Sequence, residues 1–277
     1  METTIPDHKF NQLSQFIYQQ CGIQMPPAKK TMLTARIQKR LRTLGMDSFS
    51  EYIDWVLTPG AAGDELIHFI DIVTTNKTDF FRESAHFDYL VREALPDLIA
   101  REGAGVRRRL NVWSAACSSG EEPYTLAMVL AEFGESQGSF QASILATDIS
   151  TRVLKKAKDA IYELEKVAPI PMTLKKKYLL KSRERPLARI GPELRQMVRF
   201  QRLNFMDADY GLRERMDVVF CRNVIIYFDR ITTEQIVNKI CRHLIPGGYL
   251  FIGHSESLNN LNVPVKQVAP TIYQLPK

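Results

Sequence analysis

The chain has 277 residues, 45% of them hydrophobic and 25% charged, with 37 basic against 31 acidic side chains and a formal net charge of +6. That length carries one large domain or two unequal ones, and the balance excludes a disordered or fibrous chain. No apolar run is long enough to cross a bilayer, and METTIPDHKF has neither the basic start nor the apolar centre of a signal peptide, so the expected setting is the cytoplasm without membrane insertion.

The first 82 residues read as helical. Asp7 is placed to cap a helix with Phe10, Leu13 and Ile17 on one face, and Gly22 stops it. A second helix, Lys29 to Leu44, carries Leu33, Ile37, Leu41 and Leu44 and ends at Gly45. Ser48-x-x-Glu51 forms a capping box before Tyr52, Trp55 and Val56. A fourth helix, Asp64 to Thr75, carries Leu66, Phe69, Ile70 and Val73. Residues 1–82 are therefore expected to form a helical domain, with 76–84 (NKTDFFRES) as a linker into a helix over 85–101. From Asn111 the period changes. The runs NVWSAA, SILATD, DVVFC and YLFIG alternate with helical stretches, which implies a parallel sheet with helices on both faces across residues 85–277. Residues 162–199, rich in Lys, Arg and Pro, are too long for a plain loop and read as an inserted subdomain, with a helix around 172–180 followed by short strands. A capping box, Thr232-x-x-Gln235, opens a helix that ends at Pro246-Gly247-Gly248, and Thr271 to Leu275 is expected to pair antiparallel at the sheet edge.

Asn111 to Leu126, NVWSAACSSGEEPYTL, is the most informative stretch. An apolar run enters a small-residue loop closed by Gly120; Glu121 and Glu122 follow, and a helix is expected from near Pro123. This is the strand–loop–helix layout of a nucleotide-type cofactor site. A helix N-terminus attracts phosphate, but two adjacent carboxylates oppose it and favour a ligand with hydroxyls and positive charge. S-adenosylmethionine has a sulfonium, an ammonium and a ribose, and no phosphate. The plain alternative is an ordinary turn with solvated glutamates. Asp148 ends ILATD, where doubly wound folds place an acid for ribose hydroxyls; as an alternative, it or Ser150 simply caps the next helix. Asn204 ends RFQRLN, suited to an adenine edge or to its own turn, and Arg222 and Asn223 end FCRN. Ligands of open parallel sheets bind beyond the carboxyl ends of the strands, so these four strand ends converge on one crevice. The cysteines, Cys21, Cys117, Cys221 and Cys241, contain no C-x-x-C pair and point to reduced thiols rather than a zinc site or disulfides. No metal is expected.

Together NKTDFFRE, WSAACSSGEEPYTLA, ATDIS, CRNVIIYFD and GGYLFIGHSESL resemble, in order and spacing, the chemotaxis receptor methyltransferases known as CheR. The resemblance spans nearly the whole chain. It implies a class I S-adenosylmethionine-dependent methyltransferase: a Rossmann-like, doubly wound α/β sheet with an N-terminal helical domain and a small β insertion. It implies transfer of methyl to glutamate side chains on cytoplasmic helices of chemoreceptors, with S-adenosylhomocysteine as product. By similarity, cofactor contacts fall on Asn76, Thr78, Arg82, Glu122, Asp148, Asn204, Phe205, Arg222 and Asn223, and Arg82 and Tyr227 stand beside the reacting methyl.

The chemistry suits the absence of an acid–base signature. A carboxylate nucleophile is already ionised at neutral pH, and a thioether leaves neutral. The task is alignment and exclusion of water. Arg36, Lys39, Arg40 and Arg42 fan along one flank of the second helix and are expected to face acidic receptor helices, with a solvated face as the plain alternative. Part of the family binds a receptor C-terminal pentapeptide through a glycine-containing loop of the insertion. Here KSRERPLARIGPEL has no G-x-G, which leaves that partner open. Rival readings are a nucleic-acid methyltransferase, which usually carries an N-P-P-Y-type loop where this chain has RNVIIYF; a nicotinamide oxidoreductase, which needs G-x-G-x-x-G; and a non-catalytic module that senses cofactor or docks on receptors. No nucleic-acid partner is expected.

Overall fold

The computed structural model describes residues 4–60 and 63–277. Four helices come first: α1 (Asp7–Cys21), α2 (Lys30–Leu44), α3 (Phe49–Leu57) and α4 (Asp64–Val73). Their apolar faces close one core around Leu13, Ile17, Leu33, Ile37, Tyr52 and Phe69. Gly22 and Gly45 end the first two helices in the left-handed conformation, and Ser48 accepts a hydrogen bond from the Glu51 N–H at 3.2 Å. Asp7 does not cap α1. It is the first helical residue after Pro6, makes no side-chain cap, and pairs instead with Lys30. Lys29 belongs to a 3-10 turn, Pro27–Lys29, that leads into α2.

The bridge leads to α5 (Ala85–Tyr89) and α6 (Leu95–Glu102), separated by a π-helical turn, Leu90–Ala94. The sequence pattern predicts one continuous helix here, and Pro96 explains the difference. Proline offers no N–H and crowds the carbonyl four residues back, so the ladder widens ahead of it, with the Leu95 N–H bonded to the Leu90 carbonyl.

The sheet is built from β1 (Leu110–Ala115), β2 (Ala142–Asp148), β6 (Val198–Arg202), β7 (Met216–Cys221), β8 (Leu244–Ile252), β9 (Lys266–Ala269) and β10 (Ile272–Gln274) in the order β6-β2-β1-β7-β8-β10-β9. β1 runs parallel to both β2 and β7, with Val112 opposite Ile144 and Val218. Alternate residues of β7 and β8 serve opposite cores: Val218, Phe220, Tyr249 and Phe251 on one face, Val219, Cys221, Leu250 and Ile252 on the other. Helices α7 (Glu121–Gln137), α8 (Thr151–Asp159) and α11 (Arg230–His243) make the crossovers. α7 starts two residues ahead of Pro123, whose missing N–H is harmless in a first turn. The cap of α11 is Asp229, which accepts from the Thr232 N–H at 2.7 Å, rather than Thr232 itself. β10 pairs antiparallel with β8, but it is not the edge. β9, too short and polar to stand out in the sequence, lies outside it.

Between α8 and β6 the chain makes a separate antiparallel sheet, β3 (Ile161–Glu163), β4 (Leu179–Lys181) and β5 (Leu187–Ile190), in the order β3-β5-β4, with α9 (Met172–Tyr178) and α10 (Pro192–Met197) beside it. The helix predicted to reach residue 180 ends at Tyr178, where the chain turns into β4.

Candidate functional site

β1 ends in a loop that left-handed backbone folds back on itself: Ala116 at φ +63°, Ser118 at +49° and Gly120 at +97°. A side chain at Gly120 would bring its Cβ within 2.9 Å of Ala157 Cβ on α8, so only glycine closes the loop there. Asp148, at the end of β2, holds the loop from beneath. Its two oxygens accept from the backbone N–H groups of Ser118 and Ser150, each at 2.9 Å. The cap of α8 is Ser150, which accepts from the Val153 N–H, so Asp148 keeps lone pairs for a ligand. Burial pushes its pKa up to about 6, against the pull of those two N–H groups.

Glu121 and Glu122 part company. Glu121 turns under the loop, takes the Ser119 hydroxyl at 2.8 Å, and does not reach the cavity. Glu122 lines the cavity, accepts from Ser114 at 2.7 Å and lies 3.6 Å from the Arg222 Nε. Burial raises its pKa, while Arg222 and the Ser114 hydroxyl favour the charged form.

Arg222 is buried at the end of β7. Its Nη2 donates to the Arg82 carbonyl and lies 3.4 Å from Glu83 Oε2. Its Nε and Nη1 have no hydrogen-bond partner among the described residues. Asn223 follows at φ +57°, its N–H donating to Glu256 Oε2 at 2.9 Å and its Nδ2 to Glu83 Oε1 at 3.1 Å. Gly253 makes room for it: a Cβ there would lie 2.3 Å from that Nδ2.

The bridge closes the crevice from the side. Phe81 and Glu83, on either side of Arg82, hold φ of +54° and +56°, a costly conformation for bulky side chains. Arg82 donates to the Lys77 carbonyl at 3.1 Å. The segment that carries the small sheet holds both parts in place. Tyr162 donates to the Ser119 carbonyl at 2.8 Å, and Lys166 reaches the Thr78 carbonyl at 2.6 Å and Asp79 at 2.7 Å.

All of Asn76, Thr78, Arg82, Glu122, Asp148, Asn204, Phe205, Arg222, Asn223 and Tyr227 line one cavity. Asn204 is partly committed: its Nδ2 donates to the Gln20 carbonyl at 2.7 Å and its Oδ1 accepts from the Met206 N–H at 3.0 Å, the turn that its alternative reading describes. Arg36, Lys39, Arg40 and Arg42 are not part of this lining. Arg36 donates to the carbonyls of Ile72, Val73 and Thr74 at 2.9, 3.2 and 3.0 Å, closing the end of α4. Arg40 forms a two-pronged pair with Glu65, which also accepts from Tyr52 at 2.8 Å. Of the four α2 cations expected to face the receptor, Arg36 and Arg40 are thus half-buried and engaged within the helical unit, while Lys39 and Arg42 are exposed.

The sequence pattern missed the roof. Cys21, Ile23, Met25, Lys29 and Met32, from the first two helices and the turn between them, face the same cavity, and the Lys29 ammonium stands 5.3 Å from the centre of the Tyr227 ring. Nothing in their order marks them, since apolar residues at helical spacing read as core. The four cysteines are buried free thiols, and burial raises the pKa of each. Glu83, His86 and His254 bring donor atoms within 4.8 Å of one another, and of the three it is Glu83 that lies against the Arg222 guanidinium.

The cavity therefore offers a buried acid for hydroxyls and, deeper, a carboxylate beside a guanidinium with unused N–H groups. That combination suits a molecule with a ribose at one end and an amino acid at the other.

Comparison with known proteins agrees. The model of the CheR methyltransferase SAM binding domain matches residues 76–273, and that of the CheR methyltransferase all-alpha domain matches residues 8–74. This chain belongs to the CheR methyltransferase family. The chemotaxis protein methyltransferase of Borreliella burgdorferi is 37% identical over 99% of this chain and 96% of its own length. That of Escherichia coli K12 is 37% identical over 99% and 92%. Chemotaxis protein methyltransferase 2 of Pseudomonas aeruginosa is 37% identical over 95% and 91%. In this CheR chain the matched SAM binding domain includes both the strand ends and the bridge.

Proposed function

We propose that the chain is a protein-glutamate O-methyltransferase of the cytoplasm, converting glutamates on cytoplasmic helices of chemotaxis receptors to methyl esters and releasing S-adenosylhomocysteine. One observation carries the reading: a buried guanidinium with two nitrogens that lack a hydrogen-bond partner, a carboxylate and a ribose-competent acid share a single cavity in a CheR chain. Arg222 would take the carboxylate of the donor's amino-acid end, Glu122 its ammonium, and Asp148 the ribose hydroxyls. Asn76, Thr78, Asn204, Phe205 and Asn223 would complete the walls. When bound, S-adenosylmethionine would supply an electrophilic sulfonium methyl for transfer to a carboxylate oxygen, with the sulfur leaving as a neutral thioether.

The protein's own part is placement. Arg82 would orient the incoming glutamate with its planar fork without binding it so tightly that the ground state is favoured. Tyr227 would wall the methyl's path and, with the helical roof, keep water out. Two opposite charges neutralise along this path, which a dry site favours over water. No group needs to take or give a proton. Lys39 and Arg42 would steer the acidic receptor helix.

The test is direct. The protein is incubated with methyl-labelled S-adenosylmethionine and receptor cytoplasmic fragment, then treated with mild alkali. Carboxyl methyl esters release volatile labelled methanol. Label that stays with the protein after alkali, or moves to added nucleic acid, would overturn the proposal, and no label at all would favour a binding module.

A further inference from the structure

We infer that Glu83 is a positioning residue: it holds Arg222 and Asn223 so that the unbonded N–H groups of Arg222 meet the carboxylate of the methyl donor. The inference rests on the proposed reading of the cavity as a methyl-donor site.

Glu83 does not line the cavity, so any influence it has on a ligand passes through other residues. It stands directly after Arg82, and its positive φ turns the side chain back toward the ends of β7 and β8. There one oxygen takes the Asn223 amide at 3.1 Å and the other lies 3.4 Å from Arg222 Nη2. The His254 backbone approaches the same carboxylate and favours its charged form. Glu83 thus ties the bridge to two successive residues at one strand end.

Arg222 needs such a tie. The guanidinium carbon sits 5.4 Å and 5.7 Å from the ring centres of Phe87 and Phe220, which stack 5.7 Å apart. These rings remove water from the cation without offering a hydrogen bond. Among the described residues only Nη2 has a hydrogen-bond partner, the Arg82 carbonyl, while Nε and Nη1 have none. A buried cation with unpaired N–H groups is unfavourable unless an anion fixes it. Two carboxylates are near: Glu122 at 3.6 Å from Nε, on the cavity side, and Glu83, behind. The one in the cavity is also the one a ligand ammonium would draw upon. Glu83 is the counter-charge behind Arg222, and it fixes which edge of the fork is left without a protein hydrogen-bond partner. His86 does not compete for that role. Thr271 donates its hydroxyl to the Pro270 carbonyl at 2.7 Å, so at 2.8 Å its oxygen takes the His86 Nε2 proton, leaving Nδ1 without one.

Glu83→Gln keeps the size of the side chain but removes its charge and turns one acceptor into a donor. Placed against Asn223 or against Arg222, that donor meets another donor. The full chain is titrated by calorimetry with S-adenosylmethionine and with its decarboxylated analogue, which lacks only the carboxylate. The expected result is a loss of about tenfold or more in affinity for S-adenosylmethionine, an unchanged affinity for the analogue, and a melting temperature close to that of the wild type. Glu83→Asp, which keeps the charge, should recover part of the loss. Wild-type affinity for S-adenosylmethionine in Glu83→Gln, or an equal loss for both ligands, would overturn the inference. If the wild type itself bound neither, the methyl-donor reading would fall first and take this role with it.

Discussion

Arg82 and Asp148 face the same cavity with opposite charges and different tasks. Arg82 is held by the backbone on both sides of it, through the Lys77 carbonyl and through its own carbonyl's bond from Arg222. On the proposed reading its loss would remove a substrate-facing fork without emptying the donor site. Arg82→Ala should bind S-adenosylhomocysteine nearly as the wild type does while its turnover falls about a hundredfold; calorimetry and methanol release measure the two separately. On the same reading Asp148 would link affinity to pH. Its pKa is raised from 3.8 to about 6, mainly by burial, and the neutral acid is a poorer acceptor for ribose hydroxyls. Affinity for S-adenosylhomocysteine should fall as pH drops through about 6, and Asp148→Asn should flatten the profile at the lower level. The sign for stability is the reverse. A folded value above the unfolded one stabilises the fold at low pH, and that contribution is lost as pH rises from 3.8 through about 6. The polar residues at strand ends were legible because topology alone sends strand ends to the ligand. Glu83, Ser118 and Glu256 were not, because their work depends on left-handed turns and on neighbours thirty or more residues away.

At the scale of elements, α2 divides its cations between two uses. Arg36 and Arg40 point at α4, where one closes the helix end and the other neutralises the buried Glu65. Arg40→Ala would leave that carboxylate with Tyr52 as its remaining hydrogen-bond partner among the described residues and should cost about 3 kcal/mol in unfolding experiments. Lys39 and Arg42 are exposed, and their joint reversal to Glu should leave unfolding unchanged but raise the apparent KM for receptor at low salt, a difference that shrinks as salt is added. An unchanged KM would place the receptor elsewhere. Helical periodicity gave the face on which these four residues lie. It could not separate the pairs, because Glu65 and the α4 carbonyls approach only after the helices pack. The same limit explains the π turn. Pro96 was visible in the sequence, yet the apolar spacing of Phe87, Leu90, Val91 and Leu98 suits a continuous helix, and only the ladder shows how the proline is accommodated.

At the scale of the whole molecule, the alternation of strands and helices made the sheet legible, and the capping residues marked most of the first four helices. That the helical unit roofs the site was not legible, since its cavity residues look like core. Several contacts join the two parts: Tyr18 donates to Asp229 at 2.7 Å, the Gln24 N–H to the Tyr227 carbonyl at 3.0 Å, Asn204 to Gln20, and Thr151 to Asp71 at 3.2 Å. Ligand binding should therefore stabilise both parts at once. The two tryptophans report on them separately, Trp55 beside the helical core and Trp113 buried in the sheet with its N–H on Thr147 at 2.9 Å. In Trp113→Phe the fluorescence follows the helical unit, and in Trp55→Phe it follows the sheet. S-adenosylhomocysteine at a hundred times its Kd contributes about 2.7 kcal/mol to whatever unfolds with the site. Both signals should shift to higher denaturant by amounts that agree with this one figure. A Trp55 transition that stays in place while the Trp113 transition moves would show that the helices unfold independently of the donor site and only lie over it.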